Sequence, residues 1–446
     1  MKQKLLLPRF NKLVQWLNNP VLALQGYQAS QQVLSLAFSI LLAKVLRDTA
    51  QIGFFEMLIF LAFLLTYFWV TGVSQSFMRS TDAKDPERYG KWLFTYLFMM
   101  ALITILFGSL YLGRATFLPV LVGQVQVPYL AEYMVYLIFS IPTIALPLLW
   151  VLEHKAWYIW IFAVGSWALK FGAVAIPLLL GWGLEAGIRW LIVVGAVMQL
   201  PLLFTAWQRR SHLKKWWWFK LIGQGSLPLI LYALIGALAM AIDSVLIGRF
   251  YGDERIFAIF RYGSKELPFV GALVGALIQS VLPLYYRQED LGNQALRKGS
   301  LKLIHVLFPL CILLVWINPW LFPRLFTEAF RESAFLFNIY LITLIPRLWL
   351  IHTLFIARHQ HRAMVMISAS ELLINVLVSI LAMQWMGMFG VAVGTVVAYM
   401  YEKVVMSVVM RKQGVPMRSI IPVGLFGGYS VLLITSVVAV WMLWHG

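Results

Sequence analysis

The chain offers almost nothing to redox or soft-metal chemistry, since its 446 residues include a single cysteine, Cys311. Neither a disulfide framework nor a cysteine metal cluster can be built from it. Charge is nearly as scarce: 12% of residues are charged against 61% hydrophobic, and mean hydropathy is +0.81. Soluble domains do not have this composition, so the bilayer is the expected solvent. No stretch is polar enough to fold as a solvated basic domain, which excludes nucleic acid as the reason for the formal charge of +18. Long outer loops are missing as well, so no extramembrane catalytic domain fits. Chemistry or binding must take place between helices. No nucleotide-binding motif is present, and no cofactor is expected.

Runs of about 20 apolar residues can each cross a bilayer as a helix. Charges and turn residues separate the chain into about thirteen such runs, at roughly 24–46, 51–78, 91–112, 131–152, 156–180, 188–207, 221–250, 256–286, 301–322, 334–357, 363–385, 389–410 and 419–444. Lys and Arg test this division, because cytoplasmic loops carry the excess. With a cytoplasmic N-terminus, about 23 of the 36 fall inside and about seven outside, and the bias never inverts along the chain. Residues 1–19 carry Lys2, Lys4, Arg9 and Lys12 without a hydrophobic core and cleavage site, so no cleavable signal is expected. Phe10, Leu13, Val14 and Leu17 stand at helical spacing there, which predicts a short amphipathic helix on the cytoplasmic surface.

An internal repeat is visible in the spacing. Glu153-His-Lys-Ala156 pairs with Gln360-His-Arg-Ala363, and Gln75-Ser76 with Gln279-Ser280, at offsets of about 204 to 207 residues. Six spans per half give two halves of the same orientation. The expected fold is therefore all-α and polytopic, with two pseudo-symmetric six-helix lobes plus one extra C-terminal helix. The expected organisation is a cytoplasmic segment at 1–19, lobes at 20–207 and 221–410, a linker at 208–220 and the extra span at 419–444.

Six basic residues remain inside spans: Lys44, Lys170, Arg261, Lys265, Arg347 and Lys403. A charge facing lipid costs at least a few kcal/mol, so they should face protein or a cavity. Lys403 is close enough to a boundary to snorkel. Lys44 shares its span with Gln25, Gln28 and Gln32, a polar stripe that marks Gln28 as cavity-facing. Arg261 and Lys265, four apart, are expected on one helix face beside Glu266. Arg347 follows Pro346 in mid-span, and Lys170 is equally deep. Arginine's fork of donors matches phosphate oxygens two at a time and stays charged when dehydrated. The substrate-contacting candidates are thus Lys44, Lys170, Arg261, Lys265, Arg347 and Gln28. Among the acids, Asp243 and Glu371 lie deepest and are the candidates for a coupling proton or sodium ion, the alternative being structural pairing with the basic residues.

Leu41-Leu-Ala-Lys-Val-Leu46 followed by Gln51-Ile-Gly-Phe-Phe-Glu56, Gly72-Val-Ser-Gln-Ser-Phe-Met-Arg79 and Gly387-Met-Phe-Gly-Val-Ala-Val-Gly394 resemble segments of the polysaccharide flippases of the multidrug/oligosaccharidyl-lipid/polysaccharide superfamily, the Wzx-type O-antigen and capsule exporters. The resemblance covers most of residues 20–410. It implies MATE-like six-helix lobes that alternate between inward and outward openings in a bacterial inner membrane. It also implies a cationic cavity for the pyrophosphate of an undecaprenyl-linked oligosaccharide, with Lys44, Arg261 and Lys265 on cavity-lining spans. The partners implied are the lipid-linked oligosaccharide, membrane lipids and a polysaccharide polymerase or ligase working alongside. The rival readings are an ion-coupled drug or metabolite antiporter of the same superfamily and an integral-membrane polymerase or ligase; the chain is read as a carrier and not an enzyme.

Overall fold

The computed structural model describes residues 17–212, 217–265 and 267–445. The amphipathic segment expected at 1–19 lies almost wholly outside the described residues, as does Glu266. Among the described residues all regular structure is helical. Eleven helices among the described residues are long and apolar enough to cross a membrane. The chain divides into two compact units, one of residues Met1–Ala241 with Gly252–Glu254, the other of Ile242–Tyr251 with Arg255–Gly446.

The first unit contains α1 (Pro20–Val45), α2 (Thr49–Ser80), α3 (Arg88–Leu112), α4 (Arg114–Leu121), α5 (Leu130–Ser140), α6 (Ala145–Leu152), α7 (Ala156–Leu179), α8 (Gly183–Gln208) and most of α9 (Trp217–Tyr251). Asn19 opens α1 by accepting the Val21 and Leu22 amides at 2.9 and 3.2 Å, and Pro20 fills the first helical position, where no N–H is needed. The glutamines of α1 explain why it is a 26-residue helix yet not among the eleven apolar ones: Gln25, Gln28 and Gln32 are exposed on it. Gly53 of α2 is required by packing, because a Cβ there would collide with the Glu254 carbonyl.

The second unit contains α10 (Glu254–Gly263) apart from its first residue, α11 (Pro268–Arg287), α12 (Glu289–Leu325), α13 (Arg331–Leu341), α14 (Leu344–Leu348), α15 (His352–Ala357), α16 (His361–Met386), α17 (Met388–Lys412) and α18 (Val423–His445), together with the last turns of α9. Two spans expected as continuous helices are broken here. The 256–286 span parts between α10 and α11, where Leu267 takes an extended ψ of 109° ahead of Pro268. That is what proline demands of its predecessor. The 334–357 span falls into α13, α14 and α15. Pro346 has no N–H for the Ile342 carbonyl, which takes the Ile345 amide at 3.0 Å instead, and Trp349 leaves the helical region with ψ 68°. Non-helical backbone at membrane depth is tolerated where it is buried in protein or lines a cavity.

The repeat is written in the backbone more clearly than in the residues. Arg47 and Gly252, 205 residues apart, have φ of 55° and 57°, and His154 and His359, also 205 apart, both have φ of 56°. Around each histidine the same helix stop recurs. Lys155 N–H donates to Trp150 O at 2.8 Å and His154 N–H to Val151 O at 3.2 Å, while Gln360 donates to Phe355 at 2.9 Å and His359 to Ile356 at 3.1 Å. The expected pairing of His154 with His361 is thereby corrected to His154 with His359, since the conformation and not the letter marks the equivalent position.

In the second unit α16 packs on α17 through Gly390 and Gly394. A Cβ on either would strike the backbone of α16 at Ala382 or Ser379. Small residues four apart allow this close helix approach in a membrane. Gly394→Ala is expected to cost about 1–3 kcal/mol by overpacking, read as a lower melting temperature in lipid. Gly236→Ala, with open space around its Cβ, serves as the control that should not lower it.

Candidate functional site

In the second unit, three helices bring their polar side chains to Asp243, near the end of α9. Tyr340 of α13 donates its hydroxyl to Asp243 Oδ2 at 2.7 Å, and Thr395 of α17 donates to the same oxygen at 2.6 Å. Asn375 of α16 donates to Oδ1 at 3.4 Å. Around this core Ser379 donates to Asn375 Oδ1 at 2.9 Å, and the Val391 carbonyl accepts from Thr395 at 3.2 Å. Asn375, Ser379 and Thr395 are each at most 3% exposed.

The spacing of the sequence builds this cage. Glu371, Asn375 and Ser379 recur every four residues along α16 and are, with Ile367, its buried face. Gly394 admits α16 closely enough for the adjacent Thr395 to reach Asp243. Tyr340 is held by α13, which is fixed to α12 by a buried amide pair: Asn318 Nδ2 donates to Asn338 Oδ1 at 2.6 Å and Asn338 Nδ2 donates to Val315 O at 3.0 Å. Ser333 ties the same helix to the Ile259 carbonyl of α10 at 2.7 Å. A carboxylate ringed by hydroxyl, amide and carbonyl oxygens is the donor set of a small hard cation, and equally of a proton.

Against one wall of this cage lies a cleft. Lys265, in the break between α10 and α11, and Arg347, in the short α14, line it together with Tyr340, Thr343 and Cys311. Both broken segments thus deliver a cation to one opening. Tyr340 belongs to cleft and cage alike. The expected pairing of Arg261 with Lys265 on one helix face does not hold, because α10 ends at Gly263 and Lys265 lies beyond it. Arg261 instead donates to Ser244 of α9 at 3.4 Å. Lys265 sits 4.7 Å above the Tyr262 ring.

The other predicted residues are spread more widely. Glu371 is 5% exposed and Lys170 is 7% exposed. Lys170 of α7 donates to Gln31 Oε1 at 3.4 Å in the first unit. Gln28 and Lys44 are exposed on α1, with Lys44 in its last turn. Lys403 pairs with Glu402 at 2.5 Å instead of snorkelling, and Glu402 also accepts from Ser368 at 2.9 Å. At the 205-residue offset the two units carry opposite charge: Ser39 donates to Glu56 Oε1 at 3.4 Å in the first, where Ser244 accepts from Arg261 at 3.4 Å in the second. Lys170 likewise stands where the second unit has Asn375.

Tyr340, Asn375, Ser379 and Thr395 are not among the candidates that the sequence offers. The four-residue polar stripe of α16 was a readable signal for Asn375 and Ser379, since three polar residues in register within an apolar span demand a polar neighbour. Nothing in the sequence singles out Tyr340 among 18 tyrosines.

No family model matches the chain. No curated protein matches its sequence. Solved structures do match. The lipid II flippase MurJ in an inward closed conformation is 14% identical with a TM-score of 0.68, covering 95% of this chain and 92% of that one. An inward-facing multidrug resistance MATE family transporter is 16% identical with a TM-score of 0.59 over 86% of this chain and 94% of the other. A transporter of the MOP superfamily from Pyrococcus furiosus is 14% identical with a TM-score of 0.56, over 89% and 94%. What these similarities have in common is the architecture: this is an all-α polytopic membrane protein with the fold of MOP superfamily transporters.

Proposed function

We propose that this chain is a flippase that carries an undecaprenyl-pyrophosphate-linked oligosaccharide from the cytoplasmic to the periplasmic leaflet of a bacterial inner membrane by alternating access. The observation that carries the reading is the shared wall at Tyr340: one side faces the Lys265 and Arg347 cleft, the other donates to Asp243. Lys265 and Arg347 offer the passenger's phosphates two cationic donors at one opening, and Arg347 can bind phosphate oxygens two at a time. The cage at Asp243 takes the coupling proton or sodium ion. A cation entering the cage competes for the oxygen that Tyr340 bonds, and a change at that hydroxyl is felt in the cleft. The two sites are then linked by differential contacts, which is what coupling requires.

The full-length TM-score of 0.68 to a protein named as a lipid II flippase supports a lipid-linked passenger. Within the second unit Lys265 and Arg347 hold the passenger in this reading, and Lys44, Lys170, Arg261 and Gln28 are further candidate contacts elsewhere in the chain. The N-terminus is cytoplasmic, six spans form each of the lobes at 20–207 and 221–410, and the helix at 419–444 stands outside the repeat. The test is binding in lipid nanodiscs. Undecaprenyl pyrophosphate is expected to bind at least about tenfold more tightly than undecaprenyl monophosphate, one charge-assisted contact being worth about 1.5–3 kcal/mol. Equal affinity for both, or preference for a cationic drug, returns the chain to the antiporter reading.

A further inference from the structure

The buried face of α16 that supplies Asn375 and Ser379 to the Asp243 cage continues one turn toward the helix's N-terminal end, to Glu371. Four residues of helix are a rise of about 6 Å. Glu371 is 5% exposed, and its Oε1 has no hydrogen-bond partner among the described residues. Few buried polar atoms in a native protein are left this way, and each asks for a ligand or a function.

The charged groups around Glu371 indicate which ligand. Asp243 of α9 acts on it from the cage side, and Glu402 and Lys403 of α17 from the other. His352 of α15 faces the same Glu402 and Lys403 pair. Glu402 is compensated, with Lys403 on Oε2 at 2.5 Å and the Ser368 hydroxyl on Oε1 at 2.9 Å. Glu371 Oε1 has no such donor. Nor, among the described residues, does it gather the ring of hydroxyl and carbonyl oxygens that surrounds Asp243, which a metal cation needs in place of its hydration shell. A single unserved carboxylate oxygen can hold a proton.

We propose that Glu371 is a proton site in series with the Asp243 cage, receiving a proton that leaves the cage toward the N-terminal end of α16 and passing it on past Glu402. The proposal rests on the cage being the coupling site. The step is a bare proton transfer. An O–H bond breaks at the donor carboxyl or an intervening hydronium, one forms at Glu371 Oε1, and no electron changes hands. Glu402, held by Lys403, stands beside the route that the proton takes from Glu371.

The test uses the full-length protein in sealed vesicles holding a pH-sensitive dye, with a pH gradient imposed across the membrane. Wild type is expected to pass protons, Glu371→Gln to slow the initial flux by about tenfold or more, the scale on which a positioned acid–base group acts, and Glu371→Asp to restore most of it. In parallel, a protonated-carboxyl band in difference infrared spectra should vanish in Glu371→Gln and persist in Asp243→Asn. Flux in Glu371→Gln equal to wild type, an unchanged infrared band in that variant, or no proton flux in wild type overturns the proposal. If Glu371→Gln proves poorly folded by its melting temperature, Glu371→Asp decides: flux as low as that of protein-free vesicles with a normal melt also overturns it. Lipid translocation is measured in the same vesicles. Proton flux without lipid movement would defeat the passenger reading and leave Glu371 in place.

Discussion

Asp243→Asn is expected to reduce gradient-driven transport by about a hundredfold or more while the protein still folds. The substitution keeps the size and one acceptor oxygen but removes the charge that makes the cage attract a cation. Tyr340 and Thr395 both donate to Asp243 Oδ2 at under 3 Å. An amide can accept both bonds only weakly, so the loss of charge assistance is worth about 1–3 kcal/mol of stability. Stability on that scale lowers the melting temperature by a few degrees and does not unfold a protein of this size. In the proposed mechanism transport depends instead on the differential affinity of two conformations for the cation, and a cation that no longer binds shifts nothing. The measurement is the initial rate under imposed sodium and proton gradients. A variant that transports at the wild-type rate under either gradient would remove Asp243 from the mechanism.

Lys265→Ala combined with Arg347→Ala is expected to weaken pyrophosphate-lipid binding by roughly 10² to 10⁴, two charge-assisted contacts of about 1.5–3 kcal/mol each. The pair is chosen because both residues line one cleft, which Arg261 does not. Arg347→Lys should recover part of the loss, since a lysine ammonium supplies the charge without the two-pronged geometry. Lys44→Ala should have a much smaller effect, because Lys44 is exposed in the last turn of α1, where its long stem can carry the charge to the interface. Binding titrations in nanodiscs separate these outcomes. A double variant that binds as tightly as Lys44→Ala would move the anion site away from the cleft.

The helices were legible because the bilayer imposes a length that the sequence must meet, and most of the expected spans return within a few residues, such as 363–385 as α16 and 389–410 as α17. The breaks were less legible. Pro346 and Pro268 were visible as residues, but a proline inside an apolar run can kink a helix or end it, and only the neighbouring backbone decides. That ambiguity put Lys265 on the face of Arg261, when the break sends it to Arg347. The acids were found by depth, yet Asp243 was isolated in the sequence because its partners Tyr340, Asn375 and Thr395 lie about 100 to 150 residues away, on helices whose register only packing fixes. The repeat was found at nearly the right offset from a few letters. Its true register lies in the left-handed residues Arg47, Gly252, His154 and His359, a conformation that glycine, arginine and histidine share here without any common side-chain chemistry.

The central claim is that one polypeptide couples an anionic lipid passenger in the Lys265 and Arg347 cleft to a cation in the Asp243 cage. Translocation of a fluorescent undecaprenyl-pyrophosphate-linked oligosaccharide across reconstituted vesicles, with and without an imposed cation gradient, tests it most directly. Wild type should flip the lipid faster when the gradient is present, with Asp243→Asn insensitive to it and the Lys265/Arg347 double alanine variant inactive throughout. Lipid flipping by wild type no faster than in protein-free vesicles, or at one rate regardless of the gradient, would contradict the account.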